Sequence, residues 1–328
     1  MWLHEGVSPE KIKIQKNFPT FTEWIKRYTN KLKDGLVWET IEKIERVDTN
    51  DVRDMTVSRF HNFFANGFLV SNCQNFDISK VEPNIEHSIV MSPKELVEKT
   101  IEEGCQGTSM SFSEPTTFLE YALDVFKLAK RKGLYNTFIT NGYFTAEALD
   151  LLMEAGCDAF NIDIKGCKEA VEKFCGADVE FVWQNAVEAK RKGAWVEITT
   201  LIIPTVNDDE KCLRSIAKRI YDEMGSDTPW HISRYYPAYK FVVPPTPVAT
   251  LEKAFKIGKE EGLNFIYIGN VPGHAENTYC PSCGTLLIER FGFDILQFNL
   301  TKHNRCPKCG EKIPIVGKFI KRRKVWLF

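Results

Sequence analysis

From about residue 105 onward the chain repeats one pattern, a short apolar run followed by a longer stretch with apolar residues at three- and four-residue spacing. The first kind of segment reads as a strand and the second as an amphipathic helix, so their alternation specifies βα units and a parallel sheet. Strands are expected at 105–112, 136–141, 159–164, 195–204, 229–237 and 264–270, and helices at 115–132, 145–155, 179–192, 208–224 and 247–261. Runs this continuously apolar need a covering helical layer. The expected fold class is α/β, a parallel barrel or partial barrel with its helices outside.

In such an architecture the chemistry gathers at the C-terminal strand ends, where the βα loops converge. Polar residues stand at those ends: Glu114-Pro115 after the first strand, Thr140-Asn141-Gly142 after the second, Asp163 and Lys165 after the third, Asn207 and Asp208 after the fourth, and Arg234 at the fifth. Helix capping accounts for Asp208 and Thr145. The others are candidates for binding. Glu114 leads them, because a carboxylate fixed by a following proline can accept hydrogen bonds from a ligand's ammonium group.

The chain has ten cysteines, four of them in two knuckles, Cys280-Pro-Ser-Cys283-Gly and Cys306-Pro-Lys-Cys309-Gly, separated by 22 residues. That spacing points to four thiolates around one tetrahedral ion, Zn2+ in a structural site, with an auxiliary iron–sulfur cluster as the alternative. Glycine after each second cysteine permits the tight turn that aims backbone amides at sulfur. Cys157, Cys167 and Cys175 lack ligand spacing and read as core or surface thiols. No secretory signal opens the chain and no apolar run approaches the ~20 residues that span a bilayer, so a cytoplasmic location without membrane contact is expected. A net charge of −1 gives no global electrostatic case for nucleic acid. The basic run in 317–328 reads as a solvated tail.

Ahead of the repeats, residues 52–73 (VRDMTVSRFHNFFANGFLVSNC) place Asn66-Gly67 between two apolar runs. The dipeptide predicts a two-residue hairpin turn, folding Phe68, Leu69 and Val70 back toward His61, Phe63 and Phe64 and holding Asn72 near His61. Over 36–73 this resembles the C-terminal splicing segment of an intein: Asp54, His61-Asn62-Phe63 and the terminal Asn72 match, while Ser71 stands where inteins usually carry a penultimate histidine. The resemblance implies that Asn72 cyclises on its own carbonyl, that His61 assists and that Cys73 is the downstream nucleophile. It also implies an upstream extein and intein half as partner. Residues 1–35, charged and helical in pattern, look like the remnant of an endonuclease insert.

From 73 to 328 the sequence resembles radical S-adenosylmethionine enzymes, more narrowly the AmmeMemoRadiSam group related to activases of pyruvate formate-lyase. The residues that carry this are Cys73-Gln74-Asn75-Phe76-Asp77-Ile78-Ser79, Glu114-Pro115, TNGY at 140–143, NIDIKG at 161–166, TTLIIPTVND at 199–208, PWHISRYYPAY at 229–239 and GNVPGH at 269–274. The resemblance implies a [4Fe-4S] cluster held by three thiolates, of which this chain supplies Cys73 as the third. S-adenosylmethionine would bind the open iron and be cleaved reductively to a 5′-deoxyadenosyl radical. Glu114 would take the methionine ammonium, Thr140, Asn141 and Asp163 would line the cofactor pocket, and Arg234 would face the substrate. The family's association with Memo-like partner proteins implies a protein or peptide substrate.

The expected organisation is an insert remnant at 1–35, an intein segment at 36–72, a radical-enzyme barrel at 73–270 lacking its first strand, a zinc ribbon at 271–316 and the tail. Two rivals stand beside the enzyme precursor: an autoprocessing half-intein with a passive barrel, and a non-catalytic binding module built on barrel and ribbon.

Overall fold

The computed structural model describes residues 62–65, 68–71, 91–111, 114–238, 241–292, 294–316 and 319–320. His61, Asn72, Cys73, residues 1–35 and most of the tail lie outside the described residues. Strand β1 (Asn62–Ala65) pairs antiparallel with β2 (Phe68–Ser71), with Ala65 opposite Phe68, which is the register of the expected two-residue connection.

The main body begins with α1 (Pro93–Glu102) and alternates through β3 (Gly107–Met110), α2 (Leu119–Arg131), β4 (Tyr135–Thr140), α3 (Ala146–Ala155) and β5 (Ala159–Asp163). It continues with α4 (Lys168–Cys175), α5 (Val179–Arg191), β6 (Trp195–Ile202), α6 (Glu210–Arg219), β7 (Trp230–Arg234), α7 (Val248–Glu260) and β8 (Ile266–Gly269). The six strands β3 to β8 form one sheet in chain order, every neighbouring pair parallel. Because each strand pairs with the next and βα crossovers are right-handed, the helices fall on one face.

Burial along the strands shows which face that is. In β6, Val196, Ile198, Thr200 and Ile202 are buried while Trp195, Glu197, Thr199 and Leu201 are half-buried. The same two-residue period runs through β4, β5, β7 and β8. The expectation of continuously apolar strands is therefore corrected: only the helical face is apolar, and the opposite face is half-buried and largely polar. Under the helices, Phe138 meets Phe126, Phe144 and Phe160 edge-on at centroid distances of 6.3, 6.5 and 6.0 Å. Trp230, fully buried, donates its indole N–H to Thr200 Oγ1 at 3.0 Å.

Two helices escape the periodicity. Ser92 and Glu95 close a capping box that starts α1, and α4, only eight residues long, presents too few turns to show a stripe. The cap of α6 is Asp209, which accepts from the Cys212 amide, whereas Asp208 accepts from the Thr205 amide inside the loop. Thr145 caps α3 as expected.

Beyond β8 a small antiparallel sheet follows, ordered β11-β10-β9, from β9 (Thr278–Tyr279), β10 (Leu286–Phe291) and β11 (Asp294–Phe298). It packs through Leu287, Ile288 and Ile313 against Phe265 and Tyr267 of the main body. Among the described residues, β3 has β4 as its one partner, leaving the edge expected where a first strand would lie.

Candidate functional site

Glu114 stands just past the C-terminal end of β3 and is 8% exposed. Its Oε1 accepts from the Thr116 amide at 3.2 Å, the Thr116 hydroxyl at 2.6 Å and the Thr140 hydroxyl at 2.6 Å, while Oε2 accepts from the Asn141 amide at 2.8 Å. A carboxylate has about four lone-pair positions, two on each oxygen. Oε1 is fully engaged and Oε2 keeps one position for another donor. Three expected site residues, Glu114, Thr140 and Asn141, are thus brought together by direct bonds.

The loop they hold depends on Gly142, whose φ is +71° and whose Cβ, if added, would lie 2.7 Å from Val182 and 2.8 Å from Ile162. Asn185 of α5 ties down the same turn by donating to the carbonyls of Gly142 and Phe144 at 2.9 and 2.7 Å. One strand further on, Asp163 is ion-paired with Lys165 at 2.8 Å, both about a third exposed. Fully buried Asn207 accepts from the Ile203 amide and donates to the carbonyls of Lys165 and Leu201, so it braces the βα loops and offers nothing to a ligand. Arg234 ends β7 with its Nε on the Thr246 carbonyl at 2.8 Å and its guanidinium 4.9 Å from the Tyr236 ring centre. It pins the loop after β7, two strands away from the Asp163–Lys165 pair.

Sequence reasoning missed a polar row on the face without helices. Glu197 accepts from His231 at 2.6 Å and from the Trp195 indole at 2.8 Å, and His231 stacks on Tyr267 at 5.3 Å. Tyr267 shares a hydrogen bond with Thr278 at 2.9 Å, and Arg290 donates to the same Thr278 at 2.7 Å while lying 5.5 Å from the Tyr267 ring centre. Thr199 donates to Asn161 beside this row. Burial raises the Glu197 carboxyl, yet the His231 bond and charge outweigh it and leave the group below its ordinary value. A glutamate and a histidine at the inward positions of neighbouring strands are the signal that would have found the row.

In the ribbon, the Sγ atoms of Cys280, Cys283, Cys306 and Cys309 all lie within 4.8 Å of one another, with Cys280 to Cys309 at 3.5 Å and Cys283 to Cys306 at 3.7 Å. Four thiolates about 2.3 Å from a tetrahedral zinc stand about 3.8 Å apart, so the set fits such an ion. The two knuckles are built alike: the amides of Cys280 and Cys306 donate to the carbonyls of Thr285 and Glu311, both at 2.8 Å, and Gly284 and Gly310 have φ of +69° and +79°. Thr285 pulls the Cys283 thiol down to about 6 through its hydroxyl and its amide.

Residues 72–215 match the radical SAM superfamily. An uncharacterized protein of Methanocaldococcus jannaschii, MJ0808, is 46% identical over 252 residues, 76% of this chain and 75% of its own length. Two further proteins of that organism match over small parts of their lengths: the DNA-directed RNA polymerase subunit Rpo1N, 40% identical over 79 residues and 6% of that protein, and the tRNA-splicing ligase RtcB, 26% identical over 158 residues and 15% of that protein. Among solved structures, a domain of the pyruvate-formate lyase-activating enzyme from Bacteroides vulgatus aligns at a TM-score of 0.44 and 21% identity, covering 50% of this chain and 99% of that one. The chain belongs to the family of MJ0808, and its residues 72–215 carry a radical SAM superfamily domain.

Proposed function

We propose that the chain is the precursor of a radical SAM enzyme of the AmmeMemoRadiSam group, with a [4Fe-4S] cluster for which Cys73 is one ligand. Bound together, cluster and S-adenosylmethionine supply a one-electron reductive cleavage whose product radical removes a hydrogen atom from substrate. The observation that carries this reading is the state of Glu114: a buried carboxylate at a strand end, rigid on Oε1 and with one lone-pair position left on Oε2. An ammonium group suits that position, because a charge-assisted donor gains most from an acceptor that is already fixed. Thr140 and Asn141 orient the carboxylate, Asp163 stands one strand along at the pocket wall, and Arg234 faces the substrate. A protein or peptide side chain, presented with a Memo-like partner in the cytoplasm, is the proposed substrate.

The first 72 residues belong to this proposal as a splicing remnant, with His61 and Asn72 acting at the junction and Cys73 turning from nucleophile into iron ligand once joined to an upstream Cys-x3-Cys segment. One comparison supports it: the 252 residues shared with MJ0808 nearly equal the 256 that follow Asn72.

The test uses the protein carrying the upstream Cys-x3-Cys loop, reconstituted with iron and sulfide under strong reductant. It should release 5′-deoxyadenosine from S-adenosylmethionine, and Glu114→Gln should weaken cofactor binding by roughly ten- to a hundred-fold, the loss of about 1.5–3 kcal/mol from a charged hydrogen bond. A cluster-loaded protein that makes no 5′-deoxyadenosine overturns the assignment, and unchanged affinity in the variant overturns the role of Glu114.

A further inference from the structure

We propose that Cys167 and Cys212 form a redox-active thiol pair that closes to a disulfide by exchange with a low-molecular-weight disulfide. Neither residue belongs to the thiolate sets above, and the inference is independent of the radical-enzyme reading. Cys167 ends the loop that leaves β5 and stands immediately before α4; Cys212 lies in the first turn of α6. Although 45 residues apart in the chain, they meet: the Cys167 amide donates to Sγ of Cys212 at 2.9 Å. The amide nitrogen that this sulfur contacts is two covalent bonds from the Cβ bearing the other thiol, and a turn about the Cys167 side-chain torsion brings sulfur to sulfur. A disulfide joins Cα atoms roughly 4.4–6.8 Å apart, a span such a contact permits.

The surroundings decide which thiol meets the reagent. Both cysteines line a cleft of about 460 Å³ between α4, α5 and α6, with Gly166, Glu169, Asp209 and Ser215 among its walls. Cys212 is 2% exposed, whereas Cys167 is half-buried and lines the cleft beside Glu169. Burial, followed by the neighbouring Cys167 thiol, pushes the Cys212 thiol up, so Cys212 waits as the protonated, shielded member. The chemistry then runs in two exchanges. The Cys167 thiolate attacks one sulfur of the small disulfide and expels one thiolate, which takes up the proton Cys167 released. Cys212, giving its proton to the second leaving thiolate, attacks the Cys167 sulfur and breaks the mixed disulfide. Two protein thiols are oxidised to one disulfide, and one small disulfide is reduced to two thiols.

Closure would add a covalent strap to a joint that is now hydrogen-bonded. Asn207 already ties the Lys165 carbonyl to the end of β6, and Gly166 packs its α-carbon against Ala170 and Asn207. The strap would fix the loop after Asp163 to the start of α6 under oxidising conditions and release it under reducing ones.

The full chain, reduced and then titrated with oxidised glutathione, would be quenched with N-ethylmaleimide and mapped by mass spectrometry. The expected product joins the Cys167 and Cys212 peptides, forms with a defined midpoint and reverses with reductant. Cys167→Ser should leave Cys212 free under the same treatment, and Cys212→Ser should trap glutathione on Cys167. Exposed Cys105 reports that the reagent is competent. If wild-type protein keeps glutathione on Cys167 with Cys212 free, or leaves both thiols untouched where Cys105 is modified, or pairs Cys167 with another cysteine, the proposal is wrong. The wild-type map decides this even where the Cys212 variant does not fold.

Discussion

The helical face of the six-stranded sheet buries Phe126, Phe138, Phe160, Leu149, Leu152, Ile162, Ile198, Leu213 and Trp230 in one continuous cluster, while the ribbon buries Phe265, Leu287, Ile288 and Ile313 beside Cys280 and Cys306. Apolar burial contributes about 25 cal/mol per Å², so the first set can hold its layers by area alone and the second cannot. The lesson lies in where the four-thiol cluster sits: among the described residues it is in the part of the molecule that buries the smaller core.

The largest effect is expected from disrupting the four-thiol cluster. Purified without oxygen, the chain should carry about one zinc, and apparent binding to such a site is on the order of 10 kcal/mol or more. Cys283→Ser should release the metal and unfold 278–316 while the β3–β8 sheet keeps its amide protection from hydrogen exchange. Iron with a visible charge-transfer band in place of zinc would reassign the site to an auxiliary cluster, and a ribbon that stays protected without metal would refute the dependence altogether.

Next in size is the converse experiment on the sheet. Phe138→Ala removes the ring at the centre of three edge-on contacts and should cost about 3–5 kcal/mol, read as a lower denaturant midpoint. Zinc content should not change. A midpoint equal to wild type would mean that the layer does not rest on this packing.

The smallest effect concerns the seam where the two regions meet, the row Glu197, His231, Tyr267, Thr278 and Arg290. Glu197 is held below its ordinary carboxyl value, mainly by His231 working against burial. A depressed folded value stabilises the protein fully above the ordinary carboxyl range, and that contribution fades as pH falls through the folded value. Glu197→Gln should therefore cost about 1–3 kcal/mol near neutral pH and flatten the loss of stability below about pH 4. An unaltered pH profile would show that the seam carries no net electrostatic stabilisation.

Much of this was legible because the signals are local and strong. Strands β4, β5 and β8 lie within two residues of their expected limits, since apolar runs flanked by glycine and helix stripes leave few alternatives. The four thiols met because two knuckles of fixed spacing can close on one point. Other features depend on partners far along the chain. Nothing in SFSEP announces that Glu114 is locked by Thr140 and the Asn141 amide 26 and 27 residues away. Nor does NIDIKG reveal that Asn207, read as a strand-end ligand, is consumed in bracing Lys165 and Leu201. The polarity of the face without helices was hidden by the β-branched threonines of β6, which read as apolar strand formers although half of them face inward.

The chain-ordered sheet also bears on how the protein is assembled in time. Each strand from β4 to β8 pairs with the one made just before it, so the contacts that build the sheet close over a single intervening connection. Short-range closure of this kind lowers the entropy cost of each step and favours growth from one unit to the next during synthesis. A polypeptide cut or joined upstream of β3 disturbs one strand interface at the end of the series. The units beyond it can reach their packed arrangement without that interface.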